Sequence, residues 1–133
     1  MFERLEVLCD DAPMSVADHQ TLRVLPGRYV LERLGPDAEP PGDVLAVVRG
    51  PDGGAHMRRQ DAAADAWVAL WNGDAAHPPD APGMLAAVVA PLAAGAVPVW
   101  VAASFDGDLV LVPADRLDEA SELLRRAGHR LTG

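Results

Sequence analysis

A turn flanked by two apolar runs constrains the fold of this chain more than any other sequence feature. The tripeptide Asp106–Asp108 has glycine at its centre and separates the runs Val97–Phe105 and Leu109–Val112. Asp-Gly between apolar segments is a strong β-hairpin signal, because both residues accept the backbone angles of a tight turn. The sequence therefore predicts a hairpin over these two runs.

A helical pattern precedes this hairpin. From Gly83, apolar residues recur at Leu85, Val88, Val89 and Leu92. The i, i+3, i+4, i+7 spacing is typical of a helix buried on one side, and Gly95 provides a stop. Pro91 lacks a backbone donor, so we expect the helix to bend near Ala87 or to end early.

A second helix is predicted after the hairpin, with Asp115 as its N-cap and Gly128 at its end. A weak strand is expected over 75–82 and a final strand over 129–132. The order from about residue 75 is then strand, helix, strand, strand, helix, strand. This is the βαββαβ order of ferredoxin-like α+β domains, with both helices on one face of an antiparallel sheet.

The first half of the chain is predicted to form strands. Residues 20–34 indicate a hairpin around Pro26–Gly27, a second hairpin follows over 44–59, and 66–71 is a further strand. The run 97–105 is apolar on both faces, and helices can cover only one. We expect the N-terminal hairpins or another protomer to cover the other face.

Composition excludes several classes of protein. The 133 residues suffice for one compact unit or two very small ones, and the net charge of −9 opposes binding to phosphate backbones. The chain has one cysteine, no export signal at its start and no run of about 18 uncharged apolar residues. We expect a cytoplasmic protein without nucleic-acid or membrane partners.

No known catalytic or metal-binding motif is present. The four histidines are scattered at positions 19, 56, 77 and 129, without metal-ligand spacing. Phosphate-binding loops and nucleophile elbows are absent, and no histidine lies near Ser104 in the sequence. The sequence thus predicts no metal, no cofactor and no catalytic residue, and indicates a protein that is not an enzyme.

A binding site is predicted where the first helix begins beside the tip of the hairpin. Free N–H groups at the helix start, from Gly83 to Leu85, suit a carboxylate. The tip offers a hydroxyl, an aromatic wall and carboxylates that could accept hydrogen bonds from an ammonium group. Together they suit a zwitterion, although turn chemistry and an ordinary helix start explain the same residues.

Two blocks of sequence carry a family resemblance. They are 22–34, with its Pro-Gly centre, and 83–129, with the hairpin and both helices. At these residues the chain resembles the small tandem ACT-domain proteins related to the ACT halves of cytosolic arginine sensors. The resemblance implies two ACT-like halves with sheets side by side: an extension over 1–19, a degenerate half over 20–74 and an ACT-like domain over 75–133.

The resemblance also implies a small ligand, usually an amino acid, bound where the halves meet. By position, the implied ligand-binding residues are Gly83, Met84, Val97, Pro98, Ser104, Phe105 and Asp108. The first two would hold the ligand carboxylate, Asp108 would meet its amino group, and Val97 and Pro98 would form the floor. The proline-rich segment 75–82 departs from the family pattern and leaves ligand binding open.

Two functions are compatible with these observations, and an uncharacterised enzyme is the remaining alternative. The first is a regulatory module that binds an amino acid or a similar small zwitterion. The second is a ligand-free module that binds a second copy or a regulatory protein through the apolar sheet face around Trp100. Neither the identity of the ligand nor the oligomeric state follows from the sequence.

Overall fold

The computed structural model describes residues 16–75 and 82–133, which form one eight-stranded mixed sheet and two α-helices. The strands are β1 Thr21–Val24, β2 Tyr29–Leu34, β3 Val44–Gly50, β4 Gly53–Arg59, β5 Trp67–Trp71, β6 Trp100–Ala103, β7 Asp108–Pro113 and β8 Arg130–Thr132. The helices are α1 Met84–Ala94 and α2 Leu117–Arg126, and 3-10 helices occupy Val16–Asp18 and Ala114–Arg116. The predicted α+β class is confirmed. Within the described ranges, neither α-helix has the length and apolarity needed to cross a membrane.

Strand β5 is the centre of the sheet. One edge pairs antiparallel with β7 along its whole length, from Trp67 opposite Pro113 to Trp71 opposite Leu109. The other edge is shared by β1, at the C-terminal end of β5, and by β2, at Trp67. On the β7 side, the sheet ends with β6, which pairs with β7. On the β2 side, β4 pairs with β2, and the edge strand β3 pairs with β4.

The predicted hairpin around Pro26–Gly27 is wrong. Strands β1 and β2 both run antiparallel to β5, so they point in the same direction and do not pair with each other. Gly27 has φ 88° and bends the chain between them, and the N–H of Arg28 donates to Asp61 Oδ1 at 2.9 Å. The Pro-Gly pair forms a bend here because β1 and β2 both pair with the same edge of β5, one after the other.

The other two predicted hairpins are confirmed. Strands β3 and β4 pair across their turn, and β6 pairs with β7 from Trp100 opposite Leu111 to Ala103 opposite Asp108. The N–H of Ser104 donates to the carbonyl of Gly107 at 2.9 Å, which closes the tip. Strand β6 begins at Trp100, three residues later than the predicted start at Val97.

The sheet departs from the simple ferredoxin-like order at its last strand. Strand β8 pairs in parallel with β1, which thereby lies between β8 and β5. The strand expected over 75–82 falls mainly on 76–81, outside the described residues, as do Cys9 and His77. Of the predicted extension 1–19, the described part begins at residue 16.

Both faces of β5 and β7 are buried, by different parts of the chain. On one face Leu70, Val110 and Val112 pack with Val88 and Leu92 of α1 and with Ala120 and Leu124 of α2. On the other face Ala69, Leu109 and Leu111 pack with Tyr29 of β2 and Met57 of β4. For the run 97–105, on which the expectation of a second cover rests, the N-terminal strands cover this face only in part: Ala102 packs against this cluster, while Trp100 stays 42% exposed.

The end of α1 lies where the sequence predicts it, because the helix ends at Ala94 and Gly95 is its C-cap. Gly95 has φ −89°, and the left-handed residue is Ala96, with φ 59°. A Cβ at Gly95 would lie 2.4 Å from Leu123 Cδ1 of α2, so this glycine permits close packing of the two helices. The expected stop at Gly128 is correct: its φ is 105° and it follows Ala127, the C-cap of α2.

The expected N-cap of α2 is also wrong. Asp115 lies within the 3-10 turn Ala114–Arg116 that precedes the helix, and the cap position falls on Arg116 without a side-chain hydrogen bond. The 3-10 turn delays the start of α2 by two residues beyond Asp115. Arg116 instead binds the carboxylate of Glu119 and donates to the carbonyl of Ala96 at 2.7 Å.

Pro91 does not end α1, which continues to Ala94. In a regular helix the N–H of residue 91 would donate to the carbonyl of Ala87, and proline has no N–H to offer. The structure supplies another donor, because His129 Nε2 donates to the Ala87 carbonyl at 2.8 Å. His129 Nδ1 accepts the N–H of Gln20 at 3.1 Å, which fixes the neutral tautomer with its hydrogen on Nε2.

The pairing of Pro91 with His129 gives a double-mutant prediction. His129→Ala should destabilise the protein by about 1–3 kcal/mol, because it leaves buried backbone groups without partners. In a Pro91→Ala background the new N–H of residue 91 can bind the Ala87 carbonyl, so the same change should cost about 1 kcal/mol less. Urea unfolding of the four proteins measures this coupling, and additive effects would contradict it.

Candidate functional site

A cavity of about 610 Å³ opens between the start of α1 and the β6–β7 hairpin. Its lining residues are Gly83, Met84, Leu85, Ala86, Val89, Val99, Val101, Ser104, Phe105, Gly107 and Asp108. This volume falls within the range of about 300–1,000 Å³ that small-molecule sites commonly have. All of the lining residues lie between positions 83 and 108.

Five of the seven predicted site residues line this cavity: Gly83, Met84, Ser104, Phe105 and Asp108. Val97 and Pro98 do not. Val97 lies after the end of α1, donates its N–H to the carbonyl of Leu92 at 2.9 Å and is buried in the core. The apolar floor comes instead from Val99 and Val101, further along the chain.

The start of α1 forms one end of the cavity. Gly83 holds the N-cap position with φ 79°, and within the described ranges no side chain caps the helix. The N–H groups of Met84, Leu85 and Ala86 precede the first intrahelical hydrogen bond, which joins the N–H of Ala87 to the Gly83 carbonyl at 3.0 Å. The first turn contains no acidic residue. Uncapped N–H groups and the helix dipole favour an anion at this end.

Asp108 forms the opposite end. It is half-buried, and in the parts of the chain that the structure describes its carboxylate has no hydrogen-bond or ion-pair partner. Its backbone N–H is held by Asn72 Oδ1 at 2.6 Å, so the residue is fixed while its carboxylate stays available. A carboxylate in this position accepts hydrogen bonds from a cation.

Apolar side chains form the walls between the two ends. They are Leu85 and Val89 of α1, Val99 and Val101 on the β6 side, and Phe105 at the hairpin tip. Phe105 is 77% exposed, an unusual exposure for a phenylalanine in a turn. Its ring can therefore cover a bound molecule at no cost in lost core packing.

Two buried amides lie behind the cavity, and the sequence analysis missed both. Gln20 Nε2 donates to the Met84 carbonyl at 2.7 Å, and Gln20 Oε1 accepts from Asn72 Nδ2 at 2.8 Å. Asn72 in turn holds the N–H of Asp108. Their only sequence signal was position, since Gln20 immediately precedes β1 and Asn72 immediately follows β5.

No histidine is among the residues that line the cavity. His129 binds Ala87 and Gln20, and His19 Nδ1 lies 3.1 Å from the Gly128 carbonyl. Across residues 16–75 and 82–133, no group of three His, Cys, Asp or Glu side chains is placed to hold a metal ion. The polar side chains of the cavity lining are the Ser104 hydroxyl and the Asp108 carboxylate.

A second polar cluster lies on the N-terminal strands, away from the cavity. Glu32 Oε1 accepts hydrogen bonds from Arg58 Nε and from His56 Nε2, each at 2.9 Å. These bonds, that of Arg58 foremost, lower the pKa of Glu32 from its ordinary 4.5 to about 2. The cluster joins β2 to β4 across one face of the sheet.

This pKa shift predicts an acid-sensitive contribution to stability. Because the pKa of Glu32 is lower in the folded state, its contribution is fully present above pH 4.5 and is lost as the pH falls through about 2. The free energy of unfolding should thus fall more steeply over this range in wild type than in Glu32→Gln. Urea titrations at several pH values measure the slopes. Glu39→Gln, at an exposed acid in the 35–43 loop, should keep the wild-type slope.

Similar proteins are found among solved structures. A crystal structure of protein Atu0741 from Agrobacterium tumefaciens superposes with a TM-score of 0.73 and 26% identity, over 90% of this chain and 93% of that chain. VC0802 from Vibrio cholerae, a protein of unknown function, superposes with a TM-score of 0.64 and 14% identity, over 93% of this chain and 98% of that chain. A structure of aspartokinase alpha and beta subunits superposes with a TM-score of 0.58 and 14% identity, over 80% of this chain and 96% of that chain. No curated protein matches the chain significantly.

A family model also matches part of the sequence. Residues 63–126 match the model of the ACT domain. The matched region spans β5, α1, the β6–β7 hairpin and α2, and so contains the whole lining of the cavity. The match and the aspartokinase-like fold together support an ACT domain over residues 63–126.

Proposed function

We propose that this chain is a non-catalytic regulatory module that binds a free amino acid in the cavity between α1 and the β6–β7 hairpin. The observation that carries the proposal is the placement of uncapped helix N–H groups and the unpaired Asp108 carboxylate around one cavity. ACT domains are generally regulatory modules that bind small ligands, which supports the assignment.

The charges of the site match those of an α-amino acid. The N–H groups of Met84 to Ala86 would receive the ligand carboxylate, and Asp108 would receive its ammonium group. The two ligand charges would then be satisfied at opposite ends of the cavity. Ser104 adds a hydroxyl that can accept or donate at the same tip.

The remaining lining favours an uncharged, apolar ligand side chain. Once Asp108 binds the ammonium group, the lining holds no second carboxylate for a basic side chain and no Arg or His for an acidic one. The walls are five apolar side chains, from Leu85 to Phe105. Leucine, methionine or phenylalanine would bury apolar surface there at about 25 cal/mol per Å².

The division into two ACT-like halves, with the ligand where they meet, is part of this proposal. The lining comes from the C-terminal part, and residues 20–74 would contribute through Gln20 and Asn72, which hold the cavity from behind. Binding would then alter how β1, inserted between β5 and β8, packs against α1. Such a change in packing is how a partner protein would sense the ligand.

Calorimetric titration with the common amino acids tests the function. We expect leucine, methionine or phenylalanine to bind, and arginine and glutamate to bind at least about tenfold more weakly. At 100 times its Kd the ligand should stabilise the fold by about 2.7 kcal/mol. Asp108→Asn should weaken binding at least about tenfold, because a neutral amide forms weaker hydrogen bonds with an ammonium group.

Asp106→Asn is the matched control. Asp106 is exposed in the same turn, two positions from Asp108, and does not line the cavity. It removes the same charge and should leave the affinity within about twofold. Binding by no amino acid, or equal losses in the two variants, would contradict the proposal.

A ligand-free interaction module is the second candidate. Trp100 is 42% exposed and lies on the edge strand β6, next to Val101 at 38%. Within the described residues the outer edge of β6 pairs with no strand, and such edges readily accept another chain. Sedimentation distinguishes the candidates, since a strictly monomeric protein that binds an amino acid would count against this one.

A further inference from the structure

Gln20 and Asn72 link the two ends of the cavity through the protein interior. They are 5% and 4% exposed, and neither lines the cavity. The path runs from the Met84 carbonyl through Gln20 Nε2 and Oε1 to Asn72 Nδ2, and from Asn72 Oδ1 to the N–H of Asp108. It therefore joins the first residue of α1 to the first residue of β7.

Each amide fits in one orientation only. Gln20 Nε2 faces two carbonyl oxygens, of Ala17 at 2.8 Å and of Met84 at 2.7 Å, and carbonyls can only accept. At the other end of the path, the N–H of Asp108 faces Asn72 Oδ1 and can only donate. Flipping either amide would set donor against donor or acceptor against acceptor in a buried site. The path is thus directional and rigid.

Neighbouring residues hold the path in place. The N–H of Gln20 donates to His129 Nδ1, and His129 also binds the carbonyl of Ala87, so Gln20 is tied to α1 at two places. On the hairpin side, a Cβ at Gly107 would lie 2.5 Å from Gly73 Cα and 3.0 Å from Asn72 Oδ1. Only a glycine at 107 lets the tip approach Asn72 this closely.

We propose that Gln20 and Asn72 are positioning residues of the amino-acid site. They set the separation between the helix N–H groups and the Asp108 carboxylate without touching the ligand. This inference rests on the proposed function, because the separation matters only if one molecule binds both ends.

A ligand that bridges two subsites gains affinity only while their spacing allows both contacts at once. A molecule that uses one subsite is insensitive to that spacing. For L-leucine the one-ended probes are isopentylamine, which lacks the carboxylate, and 4-methylpentanoate, which lacks the amino group. Damage to positioning should weaken leucine selectively, whereas general loss of structure should weaken all three probes together.

The experiment measures the affinities of these three probes for wild type, Gln20→Met and Asn72→Asp by calorimetry. Gln20→Met has similar length and breaks the path at its centre. Asn72→Asp keeps the acceptor for the Asp108 N–H but sets a carboxylate against Gln20 Oε1. Both variants should bind leucine at least about tenfold more weakly and should bind each one-ended probe within about twofold of wild type.

Tyr29→Phe is the matched structural control. The Tyr29 hydroxyl donates to the Pro26 carbonyl at 3.3 Å, and the residue is buried on the other face of the sheet. This variant loses a part-buried hydrogen bond remote from the cavity and should keep wild-type affinity for all three probes. Unchanged leucine affinity in both amide variants, or equal losses for the three probes, would overturn the inference.

A measurement on the wild-type protein covers the case in which the variants do not fold. The side-chain amide resonances of Gln20 and Asn72 should shift in NMR spectra on addition of leucine, which engages both ends, and much less with either one-ended probe. Equal shifts with all three probes would overturn the inference. If wild type binds no amino acid, the proposed function fails first and this inference fails with it, whereas binding that is indifferent to the amides overturns the inference alone.

Discussion

The structure depends on the burial of β5 and β7 on both faces. Ala69, Leu70 and Leu111 have no exposed surface. Because these side chains lie on both faces of the sheet, a different part of the chain must pack against each face. Helices α1 and α2 pack against one face, and β2 and β4 pack against the other. The N-terminal strands are therefore part of the same core as the helices, which explains why the chain forms one continuous sheet.

Insertion of β1 between β5 and β8 has a consequence for the site. It places Gln20, the residue before β1, beneath the first turn of α1, where its side chain donates a hydrogen bond to the Met84 carbonyl. A buried amide is tolerated only when its hydrogen bonds are satisfied, and those of Gln20 are supplied by Ala17, Met84 and Asn72. The hydrogen bonds of this amide thus add to the apolar packing that holds α1 beside the hairpin.

The same logic applies to α1 itself. Pro91 would leave a carbonyl without its donor, and His129, from the far end of the chain, replaces that donor. The helix is consequently tied to β1 and to the segment before β8 by polar contacts as well as by apolar packing. A site with one end on this helix and the other on the hairpin of β6 and β7 is well suited to a ligand that must be held at two points.

The sequence by itself determined the features that depend on neighbouring residues. The Asp-Gly turn, the helix from Gly83 and the left-handed Gly128 follow from local backbone chemistry and periodicity. The pairing of a helix start with Asp108 was predicted from the βαββαβ order and the family resemblance, and both line the cavity. Only the tertiary structure decided that the chain bends at Pro26–Gly27 without forming a hairpin, and that Gly95 permits close contact with Leu123. It also decided that Val99 and Val101 line the cavity in place of Val97 and Pro98. Gln20 and Asn72 belong to the same group, since their partners, Ala17 apart, lie 36 to 109 positions away in the chain. Contacts over such distances are chosen by which surfaces bury together and which polar groups must then be satisfied, and no short stretch of sequence contains that information.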